Sequence, residues 1–259
     1  MTPASFRPVI NRVEVVMPVH DEEHHLGPSL HALGAAAETV RRHHPAMAVG
    51  ITVVLDHCTD GSADIADRFA GSWAGLGAGP STGVRVLHRR FRNAGASRAA
   101  GVAAALGEAG AGRLQRTWLA NTDADSRVPE DWLVRQLEIA DAGWDVVLGS
   151  VEPDSAGMDP ELVRSWRLRH PLEEGHANVY GANLGVRASA YRQAGGFPPL
   201  RSSEDRALVE QLRRRGFAVT ATDTTRVLTS GRTVARAPHG FGAYLRALGV
   251  ETAAALRSS

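Results

Sequence analysis

The sequence contains no lysine, and all 29 residues in its Lys+Arg count are arginine. This absence excludes a Schiff-base lysine, a phosphate-loop lysine and a kinase-type lysine. Any phosphate must therefore be met by arginine, metal or backbone. The many Ala, Gly and Arg residues make composition bias a sufficient cause, and the exclusion holds regardless. Cysteine is nearly absent too. Cys58 alone cannot form an internal disulfide or a multi-cysteine zinc site. No apolar run approaches about 20 residues, so no membrane-spanning helix is expected. Met1 to Pro8 lacks a charged-then-apolar leader pattern. Net charge is also missing: a formal +1 argues against a dedicated nucleic-acid binder. The expectation is a soluble cytoplasmic protein. What is present is ordinary for a globular chain: 259 residues, 43% hydrophobic, enough to bury a core without disulfides.

Val13–Val19 reads as a buried strand, and Leu26, Leu30, Leu33, Ala37 and Val40 then recur at helical spacing. Ile51–Leu55 is a second strand ending at Asp56, followed by a helix over Asp60 to about Phe69. Residues 71–83 read as a Gly-rich surface loop. Val84–His88, an Ala-rich helix over 94–108, Thr117–Ala120, a helix from Pro129 to about Ala140, and Trp144–Gly149 continue the alternation. Strands alternating with helices imply an α/β fold with a mostly parallel central sheet flanked by helices. Beyond residue 149 the chain reads as irregular over 152–178, with a short helix near 161–169. A strand over 179–186, a helix over 204–215, a strand at Val227–Thr229 and a final helix over 241–256 follow. The whole chain, 1–259, is expected to form one unit. Within it the chain divides into a half at about 13–125 and a half at about 126–240.

Ligands in such sheets bind beyond the carboxyl ends of the strands, and acidic residues stand there three times. Strand one runs into His20-Asp21-Glu22-Glu23, strand two into Asp56, strand four into Asp123-Ala124-Asp125. Two carboxylates one residue apart on a turn offer hard oxygen ligands for Mg²⁺ or Mn²⁺. Capping of the next helix is the plain alternative. Asp56 suits the N3–H of uracil or the N1–H and amino group of guanine, or else it is a helix-start acid. Arg98, with Arg89, Arg90 and Arg92, forms a basic cluster suited to phosphate, or a solvated face. Glu204 and Asp205 begin an amphipathic helix, as caps or as a general base beside the metal.

Together these segments resemble glycosyltransferase family 2, with its type A glycosyltransferase fold, over roughly residues 13–232. The segments are Val13 to Glu23, Val53 to Ser62, Asn93 to Gly101, Asn121 to Ser126, and Gly195-Gly196-Phe197 followed by Glu204-Asp205. The resemblance implies a nucleotide-diphosphate sugar donor, UDP- or GDP-linked, in a site that includes Pro18, His20, Glu22, Asp56, Asn93, Arg98 and Asp123. Asp56 would meet the base and Arg98 the base or diphosphate. Asp123 and Asp125 would hold Mn²⁺ or Mg²⁺. Asp205, with Glu204 beside it, would deprotonate an acceptor hydroxyl in an inverting transfer. The chain departs from the family pattern at Leu55 and at His57-Cys58, and it lacks the Q-x-x-R-W segment common in processive synthases. Transfer of a single sugar is therefore expected. A late histidine sometimes adds a metal ligand in this fold; Thr229-Ser230-Gly231 occupies the corresponding place, and His239 is either that ligand or a surface residue. The acceptor is expected over residues 152–204, where Trp166, His170, His176, Tyr180 and Asn183 are either sugar platforms or core.

Three other readings are open. Gly75-Leu76-Gly77-Ala78-Gly79 superficially suits a dinucleotide-binding loop, but it precedes strand three instead of following strand one. A nucleotidyltransferase of related fold would set His20-Asp21-Glu22-Glu23-His24 against a triphosphate, which those acids repel. A non-catalytic nucleotide-sugar-binding protein is the remaining alternative.

Overall fold

The computed structural model describes residues 8–74, 83–233 and 240–257. Its strands are β1 (Arg12–Val19), β2 (Ala48–Asp56), β3 (Gly83–Arg89), β4 (Thr117–Asn121), β5 (Ser126–Arg127), β6 (Val146–Pro153), β7 (Leu184–Arg187) and β8 (Val219–Thr229). They form one sheet in the order β3-β2-β1-β4-β7-β6-β8-β5. β1, β2, β3 and β4 run parallel; β7 lies antiparallel between β4 and β6; β8 runs parallel to β6. The growth of the sheet reverses between β1 and β4, which makes that boundary the topological switch point where a crevice opens. The register there pairs Val19 with Leu55 and Val16 with Asn121. The chain leaving β1, β2 and β4 therefore converges at one sheet edge.

Helices cover both faces. On one, α1 (Leu26–His43), α2 (Ser62–Ala74) and α5 (Trp132–Asp141) pack on Val13, Val15, Met17, Ile51 and Val53. The spacing of Leu26, Leu30, Leu33 and Val40 places all four on the buried face of α1. On the other face lie α3 (Ala94–Leu106), the short α4 (Ala111–Gln115) and α7 (Ala188–Gln193), and α8 (Glu204–Arg214). α3 is rich in Ala and Gly because it runs close to the sheet. A Cβ on Gly101 would stand 2.5 Å from Val16 Cγ1. A third cluster joins α6 (Pro160–Arg169) to α9 (Phe241–Arg257) through Leu162, Trp166, Leu245 and Leu248.

Several boundaries differ from the sequence reading. Residues 71–74 continue α2 instead of opening the loop, because Trp73 is buried against the core. Residues 75–82, with the rest of the Gly-rich stretch, lie outside the described residues. The strand expected over 179–186 is a 3-10 turn (Gly181–Asn183) followed by β7. β8 is far longer than Val227–Thr229, since Val219 to Thr222 pair with β6 before a bulge at Gly149 and Val151. Among the described residues no helix is long and apolar enough to cross a membrane.

Trp166 is fully buried in the α6–α9 cluster. Trp166→Ala is expected to cost about 3–5 kcal/mol, the usual price of an unfilled aromatic site. Denaturant unfolding checks this; an unchanged midpoint would mean the cluster bears no load.

Candidate active site

A cavity of about 610 Å³ opens at the β1–β4 switch point. Of the residues expected to bind donor or metal, Pro18, His20, Glu22, Asp56, Asn93, Asp123 and Asp125 all line it. Arg98, Glu204 and Asp205 are not among the lining residues, although Arg98 bonds the lining residue Asp123. His239 lies outside the described residues.

Asp56 ends β2 with its carboxylate occupied. The backbone N–H groups of Phe91 and Arg92 donate to Oδ1 at 2.6 and 3.0 Å; Asn93 N–H and the Ser97 hydroxyl donate to Oδ2 at 3.0 and 2.8 Å. Burial alone would raise its pKa, but these donors hold it below the usual carboxylate value. Asp56 thus shapes the 91–93 turn. Asn93 caps α3 through Ala96 N–H at 2.9 Å and donates its side-chain amide to Pro199 O at 3.0 Å. It ties the turn to the segment leading into α8.

Arg98 is buried and joins the two acidic motifs. Its Nε donates to Glu204 Oε1 at 3.0 Å and its Nη2 to Asp123 Oδ1 at 2.5 Å. Burial opposes the charge, yet Asp123, Glu204 and Asp205 together raise its pKa above the ordinary value. The Phe197 ring of the Gly-Gly-Phe segment lies 6.0 Å beneath the guanidinium. Gly181 leaves the room: a Cβ there would stand 2.5 Å from Arg98 Nη2. Glu204 is buried in this pair, an anchor for the start of α8. Asp205, next along, is half-buried. Burial and then Glu204 raise its pKa, against the N–H of Arg206, which donates to Oδ1 at 2.7 Å.

Asp125 faces a different cation. Its Oδ2 lies 3.0 Å from Arg232 Nη2, and Arg232 also forks onto Glu22 at 2.6 and 2.5 Å. Burial and the adjacent Asp123 push Asp125 up to about 6, against the pull of Arg232. Five carboxylates (Glu22, Asp123, Asp125, Glu204, Asp205) thus share two guanidinium groups, those of Arg98 and Arg232. A negative excess built of hard oxygen donors is the kind of setting a divalent cation could enter.

The sequence reading missed Arg232. It reaches the cavity with Thr229 and Ser230 because β5 pairs Ser126 with Thr229. His57 stacks loosely on His20, ring centroids 6.4 Å apart, and Arg92 reaches the His57 Nε2. Asp21, Cys58 and Asp60 also gather within 4.8 Å. Asp60, however, receives Glu23 N–H and Ser62 N–H, and Asp21 receives Thr59 N–H, so these acids tie two turns together. Strain marks the same region. Among the described residues the non-glycine positions with positive φ are Asp21, His57, Arg92 and Ser203, three on the cavity wall and one just before Glu204. Each such position costs roughly 1–3 kcal/mol and persists where surrounding structure enforces it.

The expected acceptor residues divide. Trp166 and Asn183 are core, not sugar platforms. Trp166 stacks on His170 at 5.0 Å, and Asn183 accepts from Trp132 Nε1 and donates to Ser150 O and Thr225 O. His170 is held between the hydroxyls of Tyr180 and Tyr244 at 3.0 and 2.8 Å. His176 is buried. A second cavity of about 600 Å³ backs onto the first, sharing Asp125, Thr229, Ser230 and Arg232 as a wall.

The sheet and its flanking helices match the type A glycosyltransferase fold of solved structures. The structure of S. aureus TarS 1-349 superposes with a TM-score of 0.60 at 15% identity, covering 93% of this chain and 65% of that one. S. aureus TarS gives 0.59 at 16%, covering 93% and 39%. The mannosyltransferase PcManGT from Pyrobaculum calidifontis, in complex with GDP-Man and Mn²⁺, gives 0.59 at 19%, covering 98% and 65%. The chain thus spans less than two thirds of each of these relatives. The family model for glycosyl transferase family 2 matches residues 14–192, and the chain belongs to that family. No curated protein sequence matches significantly.

Proposed function

We propose that the chain is a cytoplasmic, metal-dependent glycosyltransferase. It moves a single sugar from a UDP- or GDP-linked donor to an acceptor hydroxyl, with inversion. The observation that carries this reading is the pair Asp123 and Asp125 at the switch-point cavity, joined through Arg98 to the start of α8. Residues about 13–125 bind the nucleotide and about 126–240 the acceptor, within one unit. Asp123 and Asp125 hold Mn²⁺ or Mg²⁺, which when bound supplies Lewis-acid stabilisation of the charge on the departing nucleoside diphosphate. Asp205 accepts the proton of the acceptor hydroxyl, and its raised pKa suits a base. Arg98 fixes Asp123 and Glu204. GDP-Man and Mn²⁺ in the PcManGT structure support this type of donor and cation.

The test is release of nucleoside diphosphate from a panel of UDP- and GDP-sugars, with hydroxyl acceptors and Mn²⁺. Metal-dependent release of UDP or GDP is expected. Release of pyrophosphate from UTP or GTP would indicate a nucleotidyltransferase instead. Tight donor binding with no turnover across the panel would indicate a binding protein.

A further inference from the structure

Arg232 occupies a place that the reading above reserves for a cation. The backbone carrying it is held on both sides. Asp154 N–H donates to Thr229 O at 2.7 Å and Ser230 N–H to Asp125 O at 3.1 Å. Gly231 is wedged so closely that a Cβ would stand 2.3 Å from Asp154 O and 2.4 Å from Met158 Sδ. Its neighbour's guanidinium therefore enters the acidic wall from a fixed strap. Nη1 and Nη2 fork onto Glu22, and Nη2 also meets Asp125 Oδ2 at 3.0 Å. That Asp125 carboxylate is one of the two assigned to the metal.

A guanidinium and a divalent cation repel each other and compete for one carboxylate. The planar fork of arginine matches a phosphate as well as a carboxylate. We propose that Arg232 is a tethered cation that gates the metal site: it holds Asp125 until a donor diphosphate draws the guanidinium away, which frees Asp125 for Mn²⁺ or Mg²⁺. The inference rests on the metal-dependent donor site proposed above. Its consequence is coupling. Nucleotide and metal each strengthen the binding of the other, by equal factors, and Arg232 carries that factor.

The experiment is Mn²⁺ titration of the full chain followed by electron paramagnetic resonance, without nucleotide and with UDP or GDP. Arg232→Gln is expected to tighten nucleotide-free Mn²⁺ binding on the order of tenfold, within the usual range of such couplings. The gain in Mn²⁺ affinity on adding nucleotide should shrink by a similar factor. Arg232→Lys keeps the charge but cannot span Glu22 and Asp125 with one fork; it should shift both quantities in the same direction, by less. It also carries the test should Arg232→Gln not fold, as thermal unfolding reports. Arg127→Gln removes a positive charge from the neighbouring cavity wall, where Arg127 pairs with Asp154, and controls for charge alone. Equal shifts in Arg127→Gln and Arg232→Gln, or an undiminished coupling in Arg232→Gln, would overturn the gate and leave the transferase reading standing. Absence of Mn²⁺ binding by the wild-type chain with either nucleotide would overturn both.

Discussion

Asp205→Asn is expected to lower kcat by about 10²–10⁴-fold, the usual contribution of a positioned general base, while nucleotide binding stays nearly intact. The substitution keeps the shape of the side chain and an oxygen able to accept the Arg206 N–H. It removes the negative charge and with it the basicity. Asp205 is not among the residues lining the switch-point cavity, so a nucleotide bound there should not sense the change. The pH profile supplies a second reading. Burial and Glu204 raise the Asp205 pKa, and a base works only when deprotonated. Wild-type kcat should therefore rise with pH through an apparent pKa above the ordinary aspartate value of about 3.9, a limb that Asp205→Asn abolishes. Nucleotide binding lost together with turnover would instead make Asp205 a donor-site or structural residue.

The second large effect concerns stability. Arg98→Ala leaves Asp123 and Glu204 without the buried guanidinium that pairs them at 2.5 and 3.0 Å. Removing one partner of a buried ion network typically costs about 3–5 kcal/mol. In a chain of this size that corresponds to a fall in Tm on the order of 10 °C. Arg98→Lys should recover little, because one ammonium cannot reproduce a planar fork placed between two carboxylates. Calorimetric unfolding of both variants checks this. A Tm within a degree or so of wild type would show that the pairing contributes little.

Most of the elements were legible from periodicity. The Leu26–Val40 spacing marked α1, and the acidic turns after β1, β2 and β4 marked the sheet edge, because a parallel layout sends those strand ends to one side. Contacts between residues 25 to 106 positions apart in sequence were harder. Nothing local tells that Arg98 spends its guanidinium on Asp123 and Glu204, or that the Asp56 carboxylate is filled by its own 91–93 turn. Trp166 carried no local sign of burial, since its cover comes from α9, roughly 80 residues on. Arg232 was invisible for the same reason. Only the pairing of β5 with β8 carries it to Asp125 and Glu22.

The central claim is a nucleotide diphosphate held with a divalent cation at Asp123 and Asp125. Calorimetric titration of the wild-type chain with UDP and with GDP, each with Mn²⁺ and with chelator, tests it most directly. Binding of one nucleotide that is strong with Mn²⁺ and largely lost with chelator is the expected result. Binding of neither, or binding indifferent to the metal, would contradict the claim.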